Sequence, residues 1–466
     1  MLNLRETISV TCSPQAAFAY LVHFANIRQW DPSVLAARQI SGGIPRVGTR
    51  FGLMLQFGGR PVTMEYRITE MAAPYKLVLR GTGASFEAED RIGLAPSAEG
   101  TRIDYEADIH FTSSWGKTIE ALVGPLVRRG GRRAVLRLEQ VLSGGGPPPR
   151  LTLATRMVDQ AILPGAIGFT RMGYRLGKHR WPLAATPLVG RTVVLTGGTS
   201  GIGRAAAFQL AWLGAHLVLV GRSPEKTEAV VHALRAAGGD VDVEIADLSL
   251  MADVRALAWR IAARHSTVHV LINNAGALFN RRETTAEGIE KTLATDLLGP
   301  FLLTQALLPT LAASPTPRII NVSSGGMYTR GIDLDNLDSA RGPYNGAEAY
   351  ARAKRGLVML TELWAEVLEE SGISVHAMHP GWVDTPGLAR SLTGFHQRMR
   401  AWLRSPEEGA DTITWLAASP EVGRTSGLFW RDRLPRATHV FPGTKSYARQ
   451  RRELFHRLVS LERSTR

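Results

Sequence analysis

The pattern of apolar and polar residues divides the chain into two regions of different character. In the first 145 residues, short stretches alternate apolar and polar positions, as strands with one buried face do. These stretches lie at 4–10, 51–57, 62–68, 77–80, 87–94 and 103–111. Beyond residue 188, short aliphatic runs alternate with longer helical patterns, which is typical of parallel strands buried on both faces by helices. The pattern therefore predicts an antiparallel sheet followed by a parallel one.

Two helical stretches frame the alternating segments of the first region. Ser13-Pro14 opens a short helix, and an amphipathic pattern over 117–141 predicts a long closing one. A short helix, a curved antiparallel sheet and a long final helix make an α+β helix-grip domain over residues 1–145. This layout, with S-P-Q-A-A-F-A-Y-L and I-R-Q-W-D-P-S-V, resembles the polyketide-cyclase and START-related (SRPBCC) superfamily. The resemblance implies a cavity for a lipid or polycyclic ligand, although a packed core fits the same apolar residues equally well.

The two regions are separated by a connector that we place at 146–187. The run G-G-G-P-P-P at 144–149 marks the domain boundary, because three prolines forbid a helix. The following segment mixes basic and apolar residues, so it could lie at a membrane interface. Pro164 and several glycines interrupt any continuous helix there, and we favour packing against one of the two domains.

A glycine-rich turn ends the first aliphatic run of the second region. Val193, Val194 and Leu195 run into T-G-G-T-S-G-I-G-R, and a helical pattern resumes at Ala205. Glycines let the backbone bend sharply and approach a pyrophosphate, and a helix start offers unpaired N–H groups to it. The turn therefore predicts a dinucleotide site. The predicted cofactor-contacting residues are Thr196, Gly197, Thr199, Ser200, Gly201, Ile202, Gly203 and Arg204.

The ends of the following strands predict how the rest of the cofactor binds. The second strand ends at Gly221-Arg222, where NAD-selective folds carry an acidic residue. Arg222, with Arg204 nearby, can neutralise a 2′-phosphate, so we expect NADP(H) to be preferred over NAD(H). The alternative is that Arg222 is a solvated strand-end charge. The remaining candidates follow the third and fourth strands and are Asp247, Leu248, Asn273, Ala275 and Gly276.

Six motifs of the second region occur in one order: T-G-G-T-S-G-I-G, D-L-S, N-N-A-G, N-V-S-S, Y-A-R-A-K and H-P-G-W-V-D-T-P. In this order they resemble the short-chain dehydrogenase/reductase (SDR) family. The resemblance implies an α/β Rossmann fold, a doubly wound parallel sheet, over residues 188–440. It also implies an oxidoreductase that assembles as a homo-oligomer and holds the nicotinamide through Pro380, Gly381, Val383 and Thr385.

Candidate catalytic chemistry follows from two residues at helical spacing. Tyr350 and Lys354 stand at i and i+4, so they share one helix face, and an ammonium beside a phenol favours the phenolate. Tyr350 is therefore the predicted acid/base, Lys354 supports it and binds the ribose, and Ser324 holds the substrate oxygen. Tyr328 and Tyr344 are rivals by residue type, but neither is followed by lysine four residues later.

One position departs from the family pattern. The family places an asparagine, its fourth catalytic residue, on the helix after N-N-A-G, and here A-T-D-L-L-G puts Asp296 there. An aspartate lacks the amide's donor and brings a charge near Lys354. The proton relay is therefore expected to be impaired or re-tuned.

Three further segments have predicted roles. An insertion at 329–346 predicts a surface substrate loop, whose acidic residues lack the spacing of an EF-hand. Residues 388–404 are predicted to form a lid over the substrate, with core packing as the alternative. The last segment, 441–466, is basic and is predicted to carry a helix from 448 to 461.

Composition limits the location and the partners. The 466 residues carry a net charge of +14, but no zinc-finger or RNA-stacking motif accompanies the arginines, so nucleic acid is not an expected partner. A single cysteine, Cys12, suits a reducing compartment, and we find no metal-ligand motif. The absence of a signal peptide's apolar core and of a long apolar run predicts a cytoplasmic protein, in peripheral contact with a membrane at most.

The sequence thus predicts an NADP(H)-dependent carbonyl reductase or alcohol dehydrogenase that acts on a small apolar, lipid-like substrate and is fused to an apolar-ligand-binding domain. The alternative is a non-catalytic protein that senses NADP(H) and binds lipid. Asp296 supports the alternative, whereas intact Ser324, Tyr350 and Lys354 oppose it.

Overall fold

The computed structural model describes residues 2–31, 33–57, 60–84, 86–97, 100–111, 116–143, 151, 167–178 and 188–465. The chain divides into two compact units, Met1–Pro147 and Pro148–Arg466. Of the predicted connector at 146–187, only residue 151 and residues 167–178 are described, and the rest, together with the glycine-proline run before it, lies outside the described residues. Residues 171–178 form a short helix, and the carbonyl of Gly168 accepts a hydrogen bond from Arg404 of the same unit.

The first unit is built on a seven-stranded antiparallel sheet in the order β1-β7-β6-β5-β4-β3-β2. Its strands are β1 Leu2–Val10, β2 Val34–Gln39, β3 Arg50–Phe57, β4 Arg60–Ala72, β5 Lys76–Gly83, β6 Phe86–Ser97 and β7 Gly100–Phe111. Alternation sets the faces: along β6, buried and half-buried residues follow each other for ten positions, as the pattern predicts. Strand β2 escaped prediction because its residues do not alternate in polarity.

The helices of the first unit cover one face of this sheet. They are α1 Pro14–Val22, α2 Ile27–Trp30 and α3 Gly116–Leu142. Ser13 accepts a hydrogen bond from the N–H of Ala16 and so begins α1, as its sequence indicates. Helix α3 packs on β1 and β7 with Val135 and Leu138 buried, and Gly131 lets it approach Leu4 closely. The predicted helix-grip fold is confirmed.

The second unit is built on an eight-stranded sheet in the order β10-β9-β8-β11-β12-β13-β14-β15. Its strands are β8 Thr192–Thr196, β9 His216–Gly221, β10 Asp240–Ile245, β11 Val270–Asn273, β12 Arg318–Val322, β13 Ser374–Met378, β14 Phe429–Arg431 and β15 Leu434–Arg436. All neighbours are parallel except β14 and β15. The order reverses at β8, which is the doubly wound arrangement, and the predicted Rossmann fold is confirmed.

Helices cover both faces of this sheet, as buried strands require. The helices of the second unit are α4 Arg171–Lys178, α5 Gly201–Trp212, α6 Pro224–Ala236, α7 Met251–Arg264, α8 Lys291–Leu293, α9 Gly299–Ala312, α10 Gly346–Val367, α11 Pro386–Ser391, α12 Thr393–Met399, α13 Pro406–Ala418 and α14 Ala448–Ser464. Helices α5, α6 and α13 bury Leu210, Leu234 and Ile413 on one face. On the other, α14 adds Leu454 and Leu458 to the core around α10. The basic C-terminal segment thus contributes a packed helix.

None of the helices within the described residues is long and apolar enough to span a membrane.

Candidate active site

The predicted phosphate cradle lies where β8 ends and α5 begins. Gly197 and Gly201 have φ of 69° and 50°, a region that side chains disfavour, and a Cβ on Gly203 would lie 2.2 Å from the carbonyl oxygen of Gly197. Ser200, the residue before α5, makes no side-chain capping hydrogen bond, so it leaves the N–H groups of the first turn unclaimed. An anion can therefore bind at this turn, where the helix dipole favours it. The flanking Thr199 and Ile202 are half-buried.

Thr196 has a structural task in this turn. Its hydroxyl accepts hydrogen bonds from the N–H groups of Asn274 and Ala275, at 3.0 and 3.1 Å, and donates to the carbonyl of Ile272. The Asn274 side chain in turn donates to the Thr196 carbonyl at 2.8 Å. The glycine turn and the N-N-A-G turn are thus fastened to each other, and the hydroxyl of Thr196 is used within the protein.

The adenosine end of the candidate site is carried by the ends of β9 and β10. Arg222 is exposed, and its Nη1 lies 3.8 Å from Oδ2 of Asp247, while Arg204 stacks over the ring of Phe208 at 4.8 Å. Leu248 is buried beside them. A Cβ on Gly221 would lie 2.1 Å from Oγ1 of Thr227, so this glycine allows α6 to pack against β9.

The N-N-A-G segment separates its residues into two roles. Asn273 is buried, and its amide donates to Thr304 and to Asn321 on the neighbouring strand, so its side chain lies in the core. Gly276 faces the candidate catalytic residues, because a Cβ there would lie 2.5 Å from Oδ1 of Asp296 and 2.8 Å from Nζ of Lys354. Gly276 thus borders the candidate catalytic site, whereas the side chain of Asn273 does not.

Two elements bring Ser324, Tyr350 and Lys354 together. Ser324 follows β12, and Tyr350 and Lys354 lie one turn apart on α10. The Ser324 side chain lies close enough to the Tyr350 phenol to lower its pKa, and Nζ of Lys354 lies 5.6 Å from the centre of the Tyr350 ring. The buried Lys354 ammonium also donates to the carbonyl of Val322 at 3.1 Å. Serine, phenol and ammonium are therefore in one cluster.

Asp296 completes this cluster as the direct partner of Lys354. Its Oδ1 lies 3.1 Å from Nζ of Lys354, and both side chains are almost fully shielded from solvent. Asp296 lies in a π-helical turn, Ala294–Leu298, between α8 and α9, and accepts a hydrogen bond from the N–H of Ala277. Burial raises the pKa of Asp296, although the ammonium opposes the rise. Burial alone would lower the pKa of Lys354, but the Asp296 carboxylate and Tyr350 raise it.

The phenol of Tyr350 does not follow the simple expectation of a lowered pKa. Burial raises its pKa most, and the Asp296 carboxylate adds to the rise, whereas Lys354 and the Ser324 hydrogen bond lower it. The ammonium of Lys354 therefore lowers the pKa of Tyr350 as expected, but burial raises it by more. The i, i+4 spacing in the sequence could indicate that Lys354 lowers the pKa of Tyr350. It could not indicate that burial raises this pKa by more.

The two rival tyrosines serve structural contacts. The hydroxyl of Tyr328 donates to the carbonyl of Ala437 at 2.6 Å. That of Tyr344 donates to Glu290, a buried residue that caps α8, and burial raises the pKa of Tyr344 to about 12. The insertion at 329–346 is therefore anchored. Its acidic residues face arginines, as in the contacts of Arg282 with Asp338 and of Arg457 with Asp335.

The predicted nicotinamide loop is held by an arginine that the sequence analysis missed. Arg404 is buried, pairs with Asp432 through two bonds of 2.6 and 3.0 Å, and also donates to the carbonyls of Gly168, Thr170 and Pro380. Gly381 has φ of 87°, and a Cβ there would lie 2.3 Å from Nε of this side chain. No motif links residues so far apart in sequence, so no sequence signal could identify this contact.

Val383 and Thr385, the other two residues predicted to hold the nicotinamide, make separate contacts. Val383 is buried and pairs with Arg404 through a β-bridge. Thr385 begins α11 by accepting a hydrogen bond from the N–H of Leu388, and its methyl group would lie 2.9 Å from a Cβ on Gly201. The loop therefore reaches the phosphate cradle.

An aromatic stack borders the position next to Ser324. Phe169 stacks on Trp382 with ring centres 5.6 Å apart and planes inclined by 28°, and Trp382 meets Phe395 of α12 edge-on at 5.2 Å. A Cβ on Gly325 would lie 3.5 Å from the Phe169 ring and 3.0 Å from Nε2 of His379. Burial holds the pKa of His379 well below its usual range, so this imidazole is neutral. The wall beside Ser324 is thus formed by aromatic rings and a neutral imidazole, and the guanidinium of Arg431 lies 4.8 Å from the centre of the Phe169 ring.

The predicted lid at 388–404 forms α11, α12 and a short 3₁₀ turn, Arg400–Trp402. It is tied to the loop after N-N-A-G, because Ser391 donates to the carbonyl of Leu278 and accepts from Asn280 through its own carbonyl. Leu388, Leu392, Phe395 and Met399 are only partly buried and Trp402 is 48% exposed, whereas Leu403 is buried. They form a covering layer rather than a core.

Two family models match the chain: short chain dehydrogenase over residues 191–393, and polyketide cyclase / dehydrase and lipid transport over residues 1–143. Among relatives, Dehydrogenase/reductase SDR family member 12 of Bos taurus is 44% identical over 54% of this chain and 79% of that protein. Retinol dehydrogenase 13 of Homo sapiens is 34% identical over 60% of this chain and 88% of that protein. Polyprenol dehydrogenase of Mus musculus is 34% identical over 57% of this chain and 83% of that protein. With a polyketide cyclase-type domain in front, the chain belongs to the short-chain dehydrogenase/reductase family of oxidoreductases.

Proposed function

We propose that the protein is an NADP(H)-dependent carbonyl reductase or alcohol dehydrogenase for an apolar, lipid-like substrate. The observation that carries the proposal is the cluster of Ser324, Tyr350 and Lys354, in which a serine hydroxyl and an ammonium both lie near the phenol and lower its pKa. A carbonyl oxygen that accepts hydrogen bonds from Ser324 and Tyr350 gains positive character at carbon and becomes open to hydride attack. Bound NADPH would supply that hydride.

The residues around the cradle fit a dinucleotide. Positive φ at Gly197 and Gly201, an uncapped start of α5 and the reach of Thr385 to Gly201 together make a narrow, donor-rich turn suited to a pyrophosphate. Arg222 is exposed and bound only loosely to Asp247 at 3.8 Å, so its guanidinium can turn toward a 2′-phosphate. These features favour NADP(H) over NAD(H) as the proposed cofactor.

Proton transfer in this proposal is assigned to the Oη atom of Tyr350. In reduction, Oη gives its proton to the substrate oxygen, and in oxidation it takes the proton back. Lys354 stabilises the resulting phenolate and is positioned to bond the ribose, while Asp296 keeps the ammonium charged and in place. Because Asp296 also raises the pKa of Tyr350, it favours the protonated phenol, which is the form that reduction requires.

The proposed substrate is apolar because of the wall beside Ser324. Phe169, Trp382 and Phe395 offer ring faces and edges, and the neutral His379 adds no charge. Relatives named for retinol and polyprenol, both apolar alcohols, agree with this class of substrate. A cytoplasmic location with peripheral contact to a membrane that holds such a substrate, and assembly into a homo-oligomer, belong to the same proposal.

A second function is proposed for the first unit, binding of a lipid or polycyclic ligand. Its support is a buried polar group within the fold: Asp90 is shielded from solvent, accepts a hydrogen bond from Tyr105 at 2.6 Å, and its Oδ2 has no partner among the described residues. An unsatisfied buried oxygen is expensive, so a hydroxyl-bearing apolar ligand that donates to it would be stabilised.

The test of the oxidoreductase proposal is NADPH oxidation with retinal, a polyprenal, decanal and a steroid ketone, and NADP⁺ reduction with the matching alcohols. We expect turnover with at least one of them, loss of turnover by orders of magnitude in Tyr350→Phe, and retained NADPH binding in that variant. Tyr75→Phe, an exposed tyrosine of the first unit, is the control. Near-normal turnover in Tyr350→Phe would overturn the mechanism, and tight NADPH binding with no turnover at all would favour the sensor alternative.

A further inference from the structure

Two histidines and an aspartate meet at the edge of the second sheet, away from the candidate active site. His216 begins β9, Asp242 lies near the start of the neighbouring β10, and His265 directly follows α7. Because β9 carries Gly221 at its other end, where the adenosine part of the cofactor is proposed to bind, the cluster lies at the opposite edge of the sheet. No step of the proposed reaction uses these residues.

The distances within the cluster suit a metal ion. Nε2 of His216 and Nε2 of His265 each lie 3.4 Å from the same oxygen, Oδ2 of Asp242. One ligand atom from each residue can be chosen so that all three lie within 4.8 Å of one another. Two ligand atoms that sit about 2.0–2.1 Å from a tetrahedral zinc are roughly 3.4 Å apart, so both measured edges already match such a site.

A fourth residue orients one of the histidines. Nδ1 of His216 lies 2.8 Å from Oδ2 of Asp240, which is the carboxylate contact that typically fixes the tautomer of a metal-binding histidine. With Nδ1 bonded to Asp240 as a donor, the lone pair of His216 is on Nε2, the atom that faces Asp242. Nε2 of His265 reaches the same Asp242 oxygen from the end of α7, so the two imidazoles meet at one carboxylate.

We propose that His216, Asp242 and His265 form a binding site for a divalent transition-metal ion of the zinc class, with water in the fourth position. Two imidazoles and one carboxylate are ligands that Zn²⁺ prefers, whereas Mg²⁺ and Ca²⁺ prefer oxygen alone. The ion would join the first residue of β9, the start of β10 and the end of α7. It would therefore stabilise the start of β9, the strand that is followed by Arg222 at its other end. Within the described residues this is the one cluster of its kind.

The test uses the full chain without a purification tag, freed of metal by chelation and titrated with Zn²⁺ against a chromophoric zinc indicator. We expect one equivalent of Zn²⁺ to bind and the melting temperature to rise by several degrees, because an ion that binds only the folded state stabilises it. Mg²⁺ at the same concentration should do neither. The variants His265→Gln and Asp242→Asn should lose the binding and the rise in melting temperature. His232→Gln, which changes an exposed histidine of α6, should keep both.

Stoichiometric binding that survives in His265→Gln and Asp242→Asn would overturn the proposal, and so would the absence of one-equivalent binding in the unmodified chain. Asp242 is 40% exposed and tolerates the isosteric change, so Asp242→Asn remains informative if a histidine variant fails to fold. NADPH binding should be retained in every variant without metal, which separates this site from the proposed cofactor site.

Discussion

The carboxylate of Asp296 lies 3.1 Å from the ammonium of Lys354, and neither charge is exposed to water. A buried ion pair is costly to break, because removing one partner leaves the other charge unpaired. The pair also acts on a third group, since the Asp296 carboxylate raises the pKa of Tyr350. An aspartate at this place therefore shifts the balance between phenol and phenolate toward the phenol.

Asp296→Asn tests this influence directly. Loss of the negative charge lowers the pKa of Tyr350, so the rise of alcohol oxidation with pH should begin at lower pH. Alcohol oxidation at neutral pH should be equally fast or faster, because more of Tyr350 is then phenolate and the amide restores the residue that the family carries. The measurement is the pH profile of kcat in the oxidation direction. Glu228→Gln, an exposed change on α6, should leave the profile in place, and an unshifted profile in Asp296→Asn would contradict the expectation.

Gly276→Ala should damage catalysis without a change of charge. The added Cβ would lie 2.5 Å from Oδ1 of Asp296 and 2.8 Å from Nζ of Lys354, so the ion pair has to move. We expect kcat to fall while the protein remains folded. Gly238→Ala is the comparison for stability alone, because that glycine has φ of 85° and nothing within 4 Å of its Cβ position. Full activity in Gly276→Ala would show that the position of the pair is unimportant.

Arg222→Ala tests cofactor choice. A lost charge-assisted contact to a 2′-phosphate costs roughly 1.5–3 kcal/mol, or about a tenfold to hundredfold rise in Kd. We expect this loss for NADP(H) and almost none for NAD(H), as measured by titration of each cofactor. Lys226→Ala removes a nearby exposed charge of α6 and should have little effect. Equal losses for both cofactors would refute the assignment.

Arg404→Met should be the most destabilising of these changes. It leaves Asp432 buried without its partner, which costs about 3–5 kcal/mol in such sites, and it removes donors from the carbonyls of Gly168 and Pro380. Urea unfolding should show this loss. Lys291→Ala, which breaks a more exposed pair with Glu283, should cost at most about 1 kcal/mol. Similar losses in the two variants would mean that the buried pair contributes little.

Asp90→Asn should change how the stability of the first unit depends on pH. Burial raises the pKa of Asp90 to about 6, so the folded form binds the proton more tightly than the unfolded form. Its contribution is therefore full at low pH and is lost as the pH rises from about 4 to 6, by on the order of 3 kcal/mol. Asp90→Asn should remove this slope. Hydrogen exchange along β6 at pH 4.5 and 7 measures it, and Asp104→Asn on β7, a more exposed carboxylate, should retain the slope.

The sequence predicted what depends on local pattern. Alternation indicated six of the seven strands of the first sheet, and the glycine turn indicated the start of α5, because period and turn chemistry are local properties. β2 does not alternate and was missed. The bonds through which Thr196 joins two turns, and the pair of Arg404 with Asp432, were not predicted. Such roles depend on neighbours far away in sequence, which a pattern cannot show.

The hydrogen bonds from Arg404 to the backbone carbonyls of Gly168, Thr170 and Pro380 limit where the two domains of this chain could have been joined. The region that matches the short chain dehydrogenase family runs from residue 191 to residue 393. The guanidinium of Arg404 lies beyond that region, yet it binds the loop at Pro380 and also Gly168 and Thr170, which come before the region. Residues 167–170 are therefore part of the oxidoreductase rather than a spacer. A fusion, deletion or exchange of the first domain would keep the loop at Pro380 intact only if its junction fell before Ile167.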